Sequence, residues 1–530
     1  MIEKIWKRLT GWFDRIDRIY HPKVTKILPL SSVVMFAVSS KTKRHIVKTI
    51  ILPHNFDLDE HIKKFPPNSR NGFDFTYRLN FDKGKVYYIL SLLSSIPATN
   101  KDYIDEGGWT PLHMGTIKHN IKDATKYMDY LTETSVLEKT NYYIIGETSY
   151  KYRWAKPYRD GIPVFREVKC RNKKRKPDDI EGLTNDPNLP EYLAHWYSTK
   201  QLLVNPLVSG YSRAIYKAKM NGSIPLDFNK NSGKPKDPQQ QYVASLHNIL
   251  RLSNFAYEAK RDNNVHRLHS VITNMQSDYR NFLSFNDETL GNIDIKNSQP
   301  YLACLILNPD FWKEDSQLPL TLYHLPLNIQ AMFKEAKEME EITSFFKRYS
   351  HNDFETYIQK VTSGEFYDQF VELANQRFGC YIDRKEAKTM MFNILFSSNR
   401  GQVTDPTIKA LKELFKIEVY PIIYKLFSII KHSYNEVERE NQHNRLACLL
   451  QAIESHIMLD KVCKRIWEEG NKEIPVFTIH DSIATTLSNK SKVRSIMFEE
   501  LTKAIGYEPT LDEKEWKLDN VEYKHCIPTN

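Results

Sequence analysis

The chain has 530 residues, a formal net charge of +10 and a hydrophobic content of 41%. Its length exceeds what one compact core needs, so two or three domains are expected. The hydrophobic content excludes a disordered chain, and the absence of a periodic repeat excludes solenoids and propellers. The basic balance favours a polyanionic partner such as nucleic acid.

The six cysteines are scattered and include no CxxC pair, which argues against a zinc ribbon and against a disulfide framework. The apolar stretch 27–38 is interrupted by Pro29 and is too short to span a bilayer. The first residues include Glu3 and Asp14 and lack a small-residue cleavage site, which argues against a signal peptide. A cytoplasmic location, in a bacterial or phage-infected cell, and no membrane contact are expected.

A helical module is expected over residues 1–160. Segments 86–96 and 116–131 have apolar residues at helical spacing, and the second segment is rich in lysine. Two aromatic-rich runs follow, joined at 146–147 by a Gly-containing turn, a pattern typical of a β-hairpin. Helices followed by such a hairpin, over about 86–157, resemble a winged helix, which contacts either DNA or another protein.

Residues 161–240 are interpreted as a connector or thumb-like region, because much of this stretch is rich in Pro, Asn and Lys. The region includes a highly charged run that contains Lys173, Lys174 and Arg175. A solvated surface loop and a phosphate contact are both compatible with such a run. Nucleic-acid binding by these three residues is therefore one of two open interpretations.

Residues 241–530 have a mostly helical pattern, with strands expected at 290–295 and 476–479, so the fold class is α+β and mostly helical. Asp294 lies within the first of these predicted strands, and Asp481 follows the second. A carboxylate at the end of a buried strand is costly unless it is paired or binds a metal. Two such carboxylates could together hold two Mg²⁺ or Mn²⁺ ions, whereas either one alone suits a capping or loop position.

Five residues, Arg384, Lys388, Met391, Phe392 and Phe396, recur at helical spacing and are expected on one side of a helix. Two cations one turn apart suit a triphosphate, and an aromatic ring one turn further suits a base or a sugar. The alternative is an ordinary mixed surface, on which long basic side chains cover an apolar face.

Four segments follow one another in the order 266–270 (HRLHS), 292–300 (NIDIKNSQP), 384–396 (RKEAKTMMFNILF) and 478–482 (TIHDS). Their order and spacing resemble the family A polymerases, which include bacterial DNA polymerase I and the phage-type single-subunit RNA polymerases. The resemblance covers about residues 240–500. It implies a right-hand fold of palm, fingers and thumb, and template-directed nucleotidyl transfer.

The resemblance also implies residue roles at the reacting centre. Asp294, Asp481 and the backbone carbonyl of Ile295 would hold two Mg²⁺ ions, with His480 beside the primer terminus. Arg267 would grip a nucleic-acid strand near the active site.

Five further positions would form the nucleotide site. Arg384 and Lys388 would hold the triphosphate, and Phe392 and Phe396 would shape the pocket. Gln299 occupies a position that is glutamate in the family's DNA polymerases and small in its RNA polymerases, so its bulk favours deoxynucleotides. Phe396 replaces the usual tyrosine, which weakens ribonucleotide selection, whereas the HDS sequence of the last motif resembles the RNA polymerases.

DNA-templated DNA synthesis, from a primer or nascent strand and nucleoside triphosphates, is therefore the favoured function. A phage-type DNA-directed RNA polymerase is the alternative, and an inactive polymerase-fold initiator that binds DNA is the alternative from another class. Gln451, on a helix before the last motif, would contact template or primer, although helix packing explains it equally well. No convincing exonuclease motif precedes residue 240, so no proofreading is expected. The compact size suits a phage or mobile-element enzyme of replication or transcription.

Overall fold

The computed structural model of the chain describes residues 45–67, 81–141, 149–171, 188–229, 232–257, 259–398, 403, 405–434 and 442–528. The described part is a mixed α and β structure that is mostly helical, in agreement with the predicted class. The predicted phosphate-binding residues Lys173, Lys174 and Arg175 lie outside the described residues. No helix in the described ranges is long and apolar enough to cross a membrane.

The first part of the described chain combines short helices with two small antiparallel sheets. Strand β5 pairs with β1 along its whole length, and β4 lies between β2 and β3. One core includes Phe56, Leu90 and Tyr127 from this part. The elements are β1 (His45–Pro53), α1 (Leu58–Lys64), α2 (Lys83–Thr99), β2 (Thr110–Pro111), α3 (Met114–Asn120), α4 (Ala124–Glu133), β3 (Leu137–Lys139), β4 (Lys151–Trp154), α5 (Lys156–Arg159) and β5 (Pro163–Arg171).

The helix expected over 86–96 is confirmed within α2, but the single helix expected over 116–131 is wrong. The chain forms two helices there, α3 and α4, because Asp123 adopts a left-handed conformation with φ of 62° between them. The exposed residues of α4 include Thr125, Asp129 and Glu133, so its open face is not the basic surface that the sequence indicated. The winged helix stays a prediction, since the turn expected within the hairpin lies outside the described residues.

The second part of the described chain is larger and contains the four motifs. Its elements are α6 (Glu191–Ala194), β6 (Leu202–Val204), α7 (Leu207–Met220), α8 (Pro238–Ser253), β7 (Lys260–Arg261), β8 (Leu268–His269), α9 (Val271–Asn274), β9 (Leu283–Phe285), β10 (Glu288–Ile295), α10 (Ser298–Ile306), α11 (Leu327–Ala331), α12 (Ala336–Arg348), α13 (Glu355–Thr362), α14 (Phe366–Phe378), α15 (Arg384–Phe396), α16 (Pro406–Glu413), α17 (Pro421–Lys431), α18 (Asn444–Ser455), α19 (Lys464–Glu469), β11 (Phe477–Ile479), β12 (Ser482–Thr486), α20 (Lys490–Ile505) and β13 (Leu511–Glu515). Wider π-helical turns follow α16 at Leu414–Val419 and join α18 to α19 at His456–Cys463.

A six-stranded antiparallel sheet organises this second part. Strand β10 lies at its centre and pairs with β12, β13 and β9, while β11 and β6 lie at the two ends of the strand order. The predicted strand 290–295 lies within β10, and the strand predicted at 476–479 is β11. Along β10, Ile293 and Ile295 are buried in the core and Asp294 is half-buried on the other face, because successive side chains alternate between faces.

Contacts across the predicted domain limits are extensive. Helix α8 packs against α2 of the first part and against α7 of the second. Strand β5 lies beyond residue 160 but pairs with β1, and β6 joins the large sheet through β9. The limits at 160 and 240 stay predictions, and the two parts share a packed boundary around α8.

Candidate active site

The two predicted metal-binding aspartates lie at neighbouring positions of the large sheet. Asp294 is directly opposite Ser482 in the register of β10 and β12, and Asp481 precedes Ser482 in the tight turn after β11. The backbone N–H of Ile295 donates to the carbonyl of Asp481 over 3.4 Å. Strand pairing therefore brings together two carboxylates that are distant in the sequence.

The charges of these aspartates are not balanced by a direct partner. Within the described ranges, neither side chain has a hydrogen bond or an ion pair. Burial raises the pKa of Asp294 above its usual range and the charge of Asp481 raises it further, while Lys514 and Lys388 act in the opposite direction. A carboxylate in the situation of Asp294 favours a bound cation or a retained proton.

The donor set fits a hard divalent cation. Mg²⁺ prefers oxygen ligands and is usually held by one or two carboxylates, with waters and substrate phosphates at its other positions. No group of three or more His, Cys, Asp or Glu side chains forms a metal site among the described residues. The side-chain carboxylates of Asp294 and Asp481 are the oxygens that could hold such a cation here.

His480 occupies a strained turn next to Asp481. Its φ is 57°, in a region that residues other than glycine rarely adopt. Burial, together with the positive charges of Arg267 and His269, lowers the pKa of His480 to about 3, so the ring is neutral at physiological pH. Its Nδ1 is buried and has no hydrogen-bond partner in the described part of the chain. Strain and an unpaired polar atom at one residue are typical of a functional position.

Helix α15 has the face that the sequence predicts, with one exception. Arg384, Lys388 and Phe392 are exposed, and Phe396 is half-buried with its ring centroid 5.3 Å from that of Phe392. Met391 was expected on the same face, but it is buried in the core. Helix α15 packs against α14, α16 and α18 on its other sides. Its exposed face is therefore narrower than the residue spacing in the sequence suggested.

The two cations of α15 lie in different surroundings. The positive charge of Lys388 lowers the pKa of Asp294, so this lysine is near the aspartates. The Arg384 Nε lies 3.2 Å from a carboxylate oxygen of Asp368, and its guanidinium lies 5.3 Å from the ring centroid of Tyr367. Both members of the Arg384–Asp368 pair are about half exposed, so this ion pair holds the arginine only weakly.

Arg267 and Gln299 meet at Glu454, a residue that was not predicted to belong to the site. Arg267 donates to the two Glu454 carboxylate oxygens over 2.8 and 2.7 Å, and the Gln299 amide donates over 2.7 Å. Burial raises the pKa of Glu454 to about 7, with Arg267 lowering it and the charge of Asp481 raising it. The predicted strand-binding residue Gln451 is half-buried one turn earlier on the same helix.

Two residues therefore join the site without having been predicted, Glu454 and Tyr367. Glu454 had a usable signal, since it is a lone carboxylate among Leu450, Ile453 and Ile457 on a helix, and a buried carboxylate needs a partner. Tyr367 had none, because an aromatic residue at the start of a helix is ordinary core. Its position beside the guanidinium of Arg384 follows only from the packing of α14 on α15.

Known proteins show little similarity to this chain. No protein-family model and no curated protein matches the chain. Among solved structures, the chain is similar to the POL domain of Pol1 from M. smegmatis in complex with DNA primer-template and dNTP. The identity is 12%, the TM-score is 0.36, and the match covers 62% of this chain and 69% of that one.

Proposed function

We propose that this protein is a template-directed nucleic-acid polymerase, with DNA-templated DNA synthesis as the favoured reaction. The observation that supports this most strongly is the pair of aspartates, Asp294 and Asp481, held at neighbouring sheet positions without a cationic partner in the described ranges. In the reaction, a strand's 3′-hydroxyl oxygen forms a bond to the α-phosphorus of a nucleoside triphosphate. The bond to the leaving oxygen breaks, and pyrophosphate departs.

The carboxylates of Asp294 and Asp481, with the carbonyl of Ile295, would hold Mg²⁺ or Mn²⁺. Such ions supply a lowered pKa for the attacking hydroxyl and neutralisation of charge on the departing pyrophosphate. The neutral ring of His480, next to Asp481, would offer its unpaired Nδ1 to the strand terminus. The sheet fixes these groups in advance, which lowers the entropic cost of orienting the reactants.

The nucleotide site would be the open face of α15. Lys388, whose charge reaches Asp294, would bind the triphosphate next to the aspartates, and Arg384 would leave its exposed partner Asp368 to join it. The adjacent rings of Phe392 and Phe396 offer a stacking surface for the base or the sugar.

RNA synthesis is the second candidate, and one observation favours it. The sequence HDS at 480–482 resembles the last motif of the phage-type RNA polymerases, where the DNA polymerases usually have HDE. An inactive initiator is disfavoured, because it has no need for two neighbouring half-buried carboxylates without a direct cationic partner in the described ranges.

The full-length protein should be tested for primer extension with dNTPs and with NTPs, and for unprimed synthesis with NTPs on duplex DNA. Extension of a primer with dNTPs is the expected result. If the protein performs only unprimed synthesis with NTPs, the RNA-polymerase alternative stands and the proposal of DNA synthesis fails. Binding of DNA without any incorporation would leave the inactive initiator and would refute the polymerase proposal.

A further inference from the structure

Glu454 is a buried carboxylate to which two separate segments of the site bind. Its side chain is 1% exposed, and it lies on α18 next to the apolar residue Ile453. Arg267, beside β8, approaches one side of the carboxylate with two N–H groups, and Gln299, in the first turn of α10, approaches with its amide. A charge buried this deeply is tolerated only when such partners surround it.

The hydrogen bond from Gln299 fixes the orientation of its own side chain. An ionised carboxylate only accepts hydrogen bonds, so Gln299 must present its NH₂ group to Glu454. The Oε1 of Gln299 then has no partner among the described residues. Since an unpaired buried acceptor is unfavourable, the bond to Glu454 is what keeps the side chain of Gln299 in this position.

The segment that carries Arg267 is attached to the same helix at further points. Arg261, in β7, donates to the carboxylate of Asp460 over 2.8 and 2.7 Å, in the π-helical turn that continues α18. The Ser455 hydroxyl donates to the carbonyl of His266. A displacement of the β7–β8 segment therefore reaches α18 and, through Glu454, the side chain of Gln299.

We propose that Glu454 is a positioning residue that couples the strand-binding Arg267 to the sugar-selecting Gln299. This inference rests on the proposed polymerase function. The enzyme's discrimination between deoxyribose and ribose then depends on a carboxylate that touches neither the sugar nor the triphosphate. Gln299 selects the sugar only while Glu454 holds it, and Arg267 stabilises the ionised form of Glu454 that does so.

The test compares Glu454→Gln with a matched control, Glu338→Gln. Glu338 is also a buried carboxylate bound by an arginine, Arg445, and its side chain is 5% exposed. Glu338 is not bonded to any residue assigned to the candidate site. Single-nucleotide incorporation with dNTP and with NTP gives the ratio of the two kcat/KM values for each variant, and thermal unfolding checks that each variant folds.

Glu454→Gln keeps an acceptor oxygen but removes the charge, so it should weaken the bond from Gln299 and move the dNTP-to-NTP ratio toward one by about threefold or more. Glu338→Gln should leave the ratio within about twofold of the wild-type value, whatever it does to stability. Gln299→Met keeps the size of the side chain but removes the bond, and it should change the ratio in the same direction by about tenfold. The double variant should not exceed Gln299→Met alone, because that substitution already removes the linkage that Glu454→Gln weakens.

Two outcomes would overturn the inference. One is an unchanged ratio in Glu454→Gln, and the other is additive effects of Glu454→Gln and Gln299→Met. If Glu454→Gln does not fold, an unchanged ratio in Gln299→Met overturns it as well. The proposed function fails separately, since it requires incorporation by the wild-type protein whatever the ratio. An active wild type with an insensitive ratio would leave the polymerase proposal standing and remove the role of Glu454.

Discussion

The charged form of Asp294 destabilises the folded protein when no metal ion is bound. Its raised pKa means that folding favours the neutral form, since burial and Asp481 both oppose the charge. The stability that this gives is fully present below the ordinary pKa of aspartate and is lost as the pH rises through the raised pKa. Above that pH range the folded protein holds an unfavourable half-buried charge. Removing this charge should therefore raise the free energy of unfolding.

Asp294→Asn should therefore raise the Tm of the metal-free protein at pH 8 and change it little at pH 4. A gain of about 1–3 kcal/mol at the higher pH is expected, since one pKa unit corresponds to about 1.4 kcal/mol. Differential scanning calorimetry at the two pH values measures it, with Asp315→Asn, at an exposed position, as the control. A Tm that falls at pH 8 would show that Asp294 is balanced by a group of the protein itself.

Lys388 and Lys385 allow a comparison within one helix. Both are exposed lysines of α15, but only Lys388 acts on the charge of Asp294. Lys388→Ala should raise the KM for the nucleotide about tenfold, as expected for loss of a charge-assisted hydrogen bond to a phosphate. Lys385→Ala should stay within about twofold of the wild type. Equal effects of the two substitutions on the KM in steady-state incorporation would refute binding of the triphosphate at this face of α15.

At the scale of elements, the start of α15 determines whether its cations are presented. Asp383 accepts a hydrogen bond from the Glu386 N–H over 2.7 Å, and the Glu386 carboxylate accepts one from the Asp383 N–H over 2.9 Å. This capping box satisfies two N–H groups that the helix itself leaves unpaired. It holds the first turn, which contains Arg384, in helical form.

Asp383→Ala should lower the free energy of unfolding by about 1 kcal/mol, the usual cost of removing a helix cap. Glu335 precedes α12 in the equivalent place but makes no capping hydrogen bond. Glu335→Ala should therefore change the unfolding free energy by less than about 0.5 kcal/mol. Urea unfolding measures both variants, and a similar loss in the two would mean that the cap of α15 contributes nothing specific.

Exposed lysines in the N-terminal elements allow a test of the predicted contact with DNA. Lys118, in α3, and Lys122, just after it, are exposed, and the exposed residues of α4 include Asp129. Lys118→Ala and Lys122→Ala should each weaken duplex binding and reduce the slope of log K against log salt by about one. Asp129→Ala should not weaken it. Fluorescence anisotropy at several salt concentrations measures these effects, and an unchanged slope in both lysine variants would refute DNA contact at these lysines.

At the scale of the whole molecule, the sequence predicted local structure better than long-range pairing. The strand that contains Asp294 and the strand that ends shortly before Asp481 were predictable, because each is a short apolar run near an aspartate. The helix of Arg384 and Lys388 was predictable from its spacing. Local patterns of this kind depend on residues a few positions apart, and the sequence displays them directly.

The parts that were missed depend on tertiary contacts. The bond between Arg267 and Glu454 joins residues 187 positions apart, and no local pattern records it. The break between α3 and α4 depends on the left-handed conformation of Asp123, which helical spacing does not reveal. Met391 was assigned to an open face because spacing gives a side of a helix but not what packs against it.

Single-nucleotide incorporation by this chain in Mg²⁺ tests whether Asp294 and Asp481 form the catalytic pair. Asp512 offers a matched control, because it lies opposite Asp294 in the register of β10 and β13 but its side chain is 40% exposed. Asp294→Asn and Asp481→Asn should each lower kcat by about a thousandfold or more, since metal-ion catalysis supplies several kcal/mol. Asp512→Asn should stay within about threefold of the wild type. Normal incorporation by either Asp294→Asn or Asp481→Asn would rule out the proposed catalytic pair.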